Sequence, residues 1–300
     1  MKKISAGKKA AILVGLCLAA AVLIGAAIFT AAVFGAAAPA RTIPTLTPEH
    51  YRMEYDSIRF SLEDGQSLSG WLIPAENGLS DKTVIFSHDR GSNREIPEAD
   101  GFFIMRTLVQ SGYNVITFDY LGAGVSDGNF CTFGAAEAEQ LRQVTEQVCR
   151  EIPQTKIAIL GWGCGAAAAI ETAKDPRVLG VIAESCYETF GKDDFAGYFS
   201  LPFAGAGMAA TKAVAGGNLA LSPAETLKEI EGKHFYFIHC LDDSKTDYAQ
   251  SQTLNRTAAE KNQSNLWLIE GGEHNLGALT DEENYPGHIL EFLNEFMNET

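Results

Sequence analysis

The stretch KIAILGWGCGAAAAI, residues 156–170, decides how the rest of the chain is read. Its opening is apolar and isoleucine-rich after one lysine, as expected of a buried strand. Gly161, Gly163 and Gly165 then alternate with Trp162 and Cys164, and an alanine run follows. A strand that turns sharply into a helix is crowded at the turn, so small residues must flank its tip. Residues 156–160 are therefore predicted as a strand and 165–173 as a helix. Residue 163 sits at the tip between them.

Working outward, the same alternation repeats. Residues 51–60 and 67–73 alternate in polarity around a turn at Glu63-Asp64-Gly65, which predicts an antiparallel pair. Short apolar runs at 83–87, 114–118, 178–183, 235–239 and 266–269 predict buried strands. Apolar spacing of three and four predicts helices over 101–111, closed by Gly112, and over 135–150. Strand, helix and strand in succession predict an α/β domain with a mostly parallel, doubly wound sheet. Sites in such sheets lie at the carboxyl ends of the strands. Residues 190–221 break the rhythm. They are rich in Ala, Gly and Phe and read as a small lid-like excursion, in which Phe190, Phe195, Phe199 and Phe203 line a pocket or, more plainly, fill core. Ser222, Pro223 and Glu225 then open a helix as a capping box.

Composition narrows the partners. The first 41 of the 300 residues hold five basic residues and no acidic one, which leaves 18 basic against 38 acidic, a net charge of −20. Such a surface repels phosphate backbones, so nucleic acid is not an expected partner. Six cysteines (17, 131, 149, 164, 186 and 240) are widely spaced, without CxxC or a Cys/His cluster. No structural metal is expected, and the cysteines read as small buried hydrophobes, with a pair such as Cys131–Cys149 left open as a bridge. Gly122, Gly124 and Gly128 depart from the dinucleotide-binding spacing and are read as turn residues, so no cofactor is implied.

Residues 10–38 contain no charge over 29 positions. At about 1.5 Å per residue this helix exceeds a hydrocarbon layer of roughly 30 Å. Lys2, Lys3, Lys8 and Lys9 precede it, so a basic tail (1–9) is expected in the cytoplasm and everything after Arg41 outside. The alternative is a signal peptide cleaved near Ala38-Pro39-Ala40 and a secreted product. The apolar core of a signal peptide is normally about 7–15 residues, and this run is far longer, which favours a retained single-pass anchor. Residues 39–50, with Pro44 and Pro48, read as a short stiff linker, and 51–300 as the domain.

Five stretches carry a resemblance: FSHDRGSNR (86–94), VITFDYLGAGVSDG (115–128), ILGWGCGAA (159–167), FIHCLDD (237–243) and GGEHN (271–275). In this order, each beside a strand or helix, they resemble the α/β-hydrolase superfamily, and most of all its bacterial serine-aminopeptidase-like and acyl-hydrolase branch. The resemblance spans roughly residues 51–297. It implies an oxyanion loop at His88-Asp89, a nucleophile elbow at 161–165, an acid at Asp243 and a base at His274. His88 and His239 are implied to be structural, and Asp119 to organise a loop. The departures stand out. The nucleophile position is Gly163, which has no side-chain oxygen. Asp89 and Cys240 replace family glycines, which brings a carboxylate near the oxyanion region and a side chain into a tight turn. Arg90, Asn93 or Arg94 is available to neutralise Asp89. Cys164 supplies the oxyanion N–H in this register. As a substitute nucleophile it is a weak alternative, because that register puts Trp162 where a small residue is wanted. Ser87, Ser92 and Ser126 lie nearby without elbow spacing.

Covalent catalysis cannot pass through a glycine side chain. The reading is therefore a membrane-tethered hydrolase-like protein without serine chemistry, keeping a pocket for a small ester, lipid or peptide ligand, or an interaction role. The alternative is an active esterase, acyl hydrolase or peptidase with a degenerate triad. A third reading is a purely structural envelope protein with a filled pocket.

Overall fold

The computed structural model describes residues 5–192, 194–195, 204–215 and 221–298. Among these, the short apolar and alternating runs become eight strands of one sheet: β1 (Asp56–Ser61), β2 (Ser67–Ile73), β3 (Lys82–Ser87), β4 (Asn114–Phe118), β5 (Lys156–Trp162), β6 (Val178–Glu184), β7 (His234–Cys240) and β8 (Gln263–Ile269). Their order is β1-β2-β4-β3-β5-β6-β7-β8. β2 runs antiparallel to both its neighbours, and all other pairs are parallel. Successive side chains of a strand feed opposite faces. Thus Ile85 of β3 packs under helices Ala135–Glu151 and Cys164–Thr172, while Val84 and Phe86 pack with helices Gly101–Gln110 and Tyr285–Met297.

Several boundaries differ from the sequence reading for visible reasons. The first strand begins at Asp56, because Pro48–Tyr51 forms a 3-10 turn that Arg52 closes in the left-handed region at φ 61°. β5 and β6 extend to Trp162 and Glu184, which pair across the strands while the Trp162 indole N–H donates to Glu184 Oε2 at 3.0 Å. The alanine helix starts one residue early, at Cys164. Ser222 caps helix Pro223–Glu229 as expected, its hydroxyl accepting from the Glu225 amide. Among the described residues the six cysteines are free thiols.

The apolar N-terminal helix runs Ala6–Ala37. Residues 10–28 are exposed on every side, but Phe29, Ala32, Val33, Ala36 and Ala37 form a buried or half-buried stripe at the spacing of one helix face. Helix Ala204–Ala215 packs alongside these turns. The Arg90 guanidinium donates to the Gly35 and Ala36 carbonyls at the helix C-terminus, where a cation is favoured, and the Cys131 amide donates to Ala37 O at 2.7 Å. The segment expected as a linker lies on the domain. Arg41 donates to Ser126 O and Gly128 O, and the Thr45 and Leu46 amides donate to the Glu95 carboxylate. In the excursion, Phe190 and Phe195 are buried, with Phe190 stacked on Phe133 at 4.5 Å between centroids, so both are core. Phe199, Phe203, Lys2 and Lys3 lie outside the described residues.

Candidate active site

The glycines of the elbow do two different jobs. A Cβ on Gly161 would sit 2.7 Å from the Ala166 Cα, and one on Gly165 2.1 Å from Ser87 O, so backbone leaves no space at either position. Gly163 holds φ 52° and ψ −119°, a conformation L side chains rarely adopt and one that displays residue 163 at the tip of the turn. Its Cβ would meet a side chain, the Asp89 carboxylate, at 2.3 Å. The space that a side chain at position 163 would need is therefore filled by Asp89.

That carboxylate is buried and fully engaged. Oδ1 accepts from the Cys164 amide, the first of the helix that follows the turn, at 2.9 Å. Oδ2 accepts from Asn275 Nδ2 at 2.9 Å and lies 3.3 Å from His274 Nε2. Burial pushes the Asp89 pKa up, but the hydrogen bond and charge of His274, with the Cys164 and Arg90 amides, outweigh it and hold the group below the usual carboxylate range.

On its other side, His274 Nδ1 donates to Asp243 Oδ2 at 2.8 Å. Asp243 also accepts from the Lys245 and Thr246 amides at 2.9 Å and lies 3.2 Å from His239 Nε2. Burial opposes its charge, yet the hydrogen bonds from His239 and His274 win and keep Asp243 ionised well below its ordinary range. Both His274 nitrogens thus face carboxylates, an arrangement that satisfies every group when the ring carries two protons. Burial would lower the His274 pKa, but hydrogen bonds to Asp243 and Asp89 raise it to about 9. At neutral pH the ring is an imidazolium clamped between two carboxylates, and an imidazolium cannot accept a proton as general base.

The structure thus brings Asp89, Gly163, Cys164, Asp243 and His274 together. It corrects the expected neutralisers of Asp89. Arg90 caps the N-terminal helix, Arg94 forms a buried ion pair with Asp119 at 2.8 Å, and Asn93 donates to Thr42 O. His274 and Asn275 take that role. Cys240 ends β7 and opens the turn expected there, in which the Asp243 amide donates to Cys240 O; its φ is not positive, and its Sγ packs against Gly272. The Cys164 thiol is pushed well above its ordinary pKa by the hydrogen bond with Cys131, by burial and by Asp89, the opposite of an activated thiol. The nearby serines are committed elsewhere: Ser87 bonds Tyr120 OH and Gly165 O, Ser92 donates to Glu98, and Ser126 donates to Asp119 O. His88 is buried and bonds Asp89 O and the Tyr120 amide, His239 is buried between Ser251 Oγ, Thr246 O and Asp243, and Asp119 organises its loop through Arg94 and the Val125 amide.

Sequence reading missed Asn275 and Glu184. Asn275 follows His274 directly, in the left-handed region at φ 61°, and its position in GGEHN was the available signal. Glu184 is buried and accepts from Trp162 Nε1, Tyr285 OH and the Gly277 amide, which ties the histidine loop to the sheet. Beside Asp89 lies a small cavity of about 20 Å³ whose walls include Pro39, Arg41, Tyr120, Cys131 and Cys164. One wall is thus the segment leaving the N-terminal helix.

No family model matches the chain. Among curated proteins, the uncharacterized protein YfhR of Escherichia coli (strain K12) is 24% identical over 250 residues, 81% of this chain and 82% of that protein. The Pyrococcus furiosus esterase Pf2001 has a TM-score of 0.73 and 26% identity, covering 87% of this chain and 100% of that chain. The α/β hydrolase GrgF from Penicillium sp. sh18 has a TM-score of 0.65 and 18% identity over 82% of this chain and all (100%) of that chain. XC6422 from Xanthomonas campestris, an α/β serine hydrolase without lid, has a TM-score of 0.56 and 17% identity over 82% and 97% of the two chains. With the sheet order and the elbow, these likenesses establish that the chain has the α/β-hydrolase fold, preceded by one apolar helix long enough to cross a membrane.

Proposed function

We propose that this chain is a membrane-anchored, extracytoplasmic member of the serine-aminopeptidase-like and acyl-hydrolase branch that has lost serine-nucleophile hydrolysis. Its remaining role is to bind a small ester, lipid or peptide ligand or a protein partner. One observation carries the reading: the Asp89 carboxylate fills the space above Gly163 and takes the Cys164 N–H. A site built this way has no nucleophile, no free oxyanion donor at Cys164 and a base already protonated. Retention of the anchor is supported by its docking. Cleavage near Ala38 would remove the carbonyls that Arg90 and the Cys131 amide bind. The lysines before the helix support a cytoplasmic N-terminus.

The test uses the full-length protein in detergent or nanodiscs. Serine-directed fluorophosphonate probes and p-nitrophenyl esters are expected to give no labelling and no turnover. Robust turnover that His274→Ala abolishes would overturn the proposal and favour a working hydrolase built on the Asp243–His274 pair.

A further inference from the structure

Two of the free thiols meet beside the closed site. Cys131 and Cys164 are both buried, both line the small cavity beside Asp89, and their side chains are hydrogen-bonded to each other. Each is held by its backbone. The Cys131 amide donates to Ala37 O. The loop after it is tied to the first turn of helix Ala135–Glu151, because the Thr132 amide, the Thr132 hydroxyl and the Gly134 amide all donate to the Glu137 carboxylate. A Cβ on Gly134 would lie 3.1 Å from Cys164 O, so this loop is packed on the elbow. Cys164 opens the helix after the elbow, with its own amide on Asp89. The pairing left open in the sequence, Cys131–Cys149, is out of reach. From Glu137 to Cys149 the helix rises about 18 Å, whereas the Cα atoms of a disulfide lie within roughly 7 Å. The Cys186 thiol donates to Tyr187 O, and Cys240 packs against Gly272.

We propose that Cys131 and Cys164 form a disulfide that joins the helix-docking loop to the elbow. The inference takes its oxidising surroundings from the extracytoplasmic reading. The oxidant is a disulfide, RSSR, of a small thiol or a thiol oxidase. One cysteine loses its proton, and the thiolate attacks RSSR and expels RS⁻. The second thiolate then attacks the mixed disulfide and expels the other RS⁻. Two electrons and two protons pass to the oxidant, which leaves as two RSH. A cavity of about 20 Å³ holds about one water and excludes RSSR. Burial and Asp89 also hold the Cys164 thiol protonated once the site has closed. The bond therefore forms as the chain folds, before the loop closes on the elbow, and is afterwards shielded from reductants. One bridged residue then holds the end of the N-terminal helix, and the other holds the carboxylate that fills the space at Gly163.

Disulfide mapping of the full-length protein from membranes tests this. Free thiols are blocked with N-ethylmaleimide in denaturant at lysis, and the protein is digested without reduction. The peptides of Cys131 and Cys164 are expected to be joined, with Cys149, Cys186 and Cys240 alkylated. A phosphine reductant should open the link only after denaturant is added. The reduced and refolded protein should melt lower by on the order of 5–10 °C, and Cys131→Ser should melt at one temperature with or without reductant. Protease access to a C-terminal tag on intact cells reports the side of the membrane. Alkylated Cys131 and Cys164 in protein whose tag is outside would overturn the bridge and leave the anchor reading standing. With the tag inside, the anchor reading fails, and the pair is judged on full-length protein refolded in oxidised and reduced glutathione. A Cys131–Cys164 link there upholds the pairing, and any other link, or none, overturns it.

Discussion

At the scale of single residues, Gly163 and Asp89 are spatially complementary: the Asp89 carboxylate fills the space that a side chain at position 163 would need. Introducing a serine alone is expected to fail. In Gly163→Ser the new Cβ meets Asp89 at 2.3 Å, so crowding should cost about 2 kcal/mol of stability and leave ester hydrolysis absent. Asp89→Gly with Gly163→Ser removes the clash, frees the Cys164 amide and takes away one of the two carboxylates that keep His274 protonated. Turnover of p-nitrophenyl acetate should appear only in the double variant, on the order of 10²-fold above either single variant, and vanish with His274→Ala. The same cluster predicts a pH profile. His274 is raised from 6.5 to about 9, so its stabilisation is complete below about 6.5 and is lost as pH rises through about 9. Asp89 and Asp243 are depressed from 3.8, so theirs is present above that value and lost in acid. Thermal stability should therefore plateau between about pH 4 and 6.5 and fall on both sides. Melting scans of His274→Gln should lack the alkaline limb, which is worth about 3 kcal/mol. The motif order exposed each of these residues in the sequence. That Asp89 occupies the vacancy at Gly163 was not legible, because 74 positions separate them and only the sheet brings them together.

At the scale of elements, what was legible follows from local chemistry. The isoleucine-rich runs and the glycine-flanked turn predicted β3, β4, β5 and the helix after the elbow, because one period or one turn residue settles each. Strand ends were less legible. β5 and β6 continue past their apolar runs through the Trp162–Glu184 pairing, a tertiary contact that overrides local polarity. The elbow itself is the most demanding junction. Gly165 brings the helix against the carbonyl of Ser87, so Gly165→Ala must push the helix off β3. A loss of about 3 kcal/mol is expected, with a melting temperature lower by several degrees. An unchanged melting temperature would mean that the helix start can shift without cost. Gly112→Ala, with positive φ but open space around it, provides the contrast and should cost about 1 kcal/mol.

At the scale of the whole molecule, the anchor and the site are mechanically adjacent. Asp89 fills the space beside Gly163, and the next residue, Arg90, caps the N-terminal helix, which is long and apolar enough to cross a membrane. In the sequence these fall in separate units, a domain and a transmembrane segment, since charge and hydropathy describe segments and do not show where a segment lands. The arginine has two carbonyl partners at a helix terminus, each a charge-assisted bond of about 1.5–3 kcal/mol. In Arg90→Ala of the full-length protein the docked turns should therefore open more often. The amide of Cys131, whose acceptor is Ala37 O at this junction, should exchange with deuterium on the order of tenfold faster, while those of β5 keep their protection. Unchanged exchange at Cys131 would assign the docking to the apolar stripe through Val33 and Ala36 alone. Faster exchange that extends into residues 89–91 would show that the anchor also holds Asp89 in place, so that release of the helix loosens the group that closes the site.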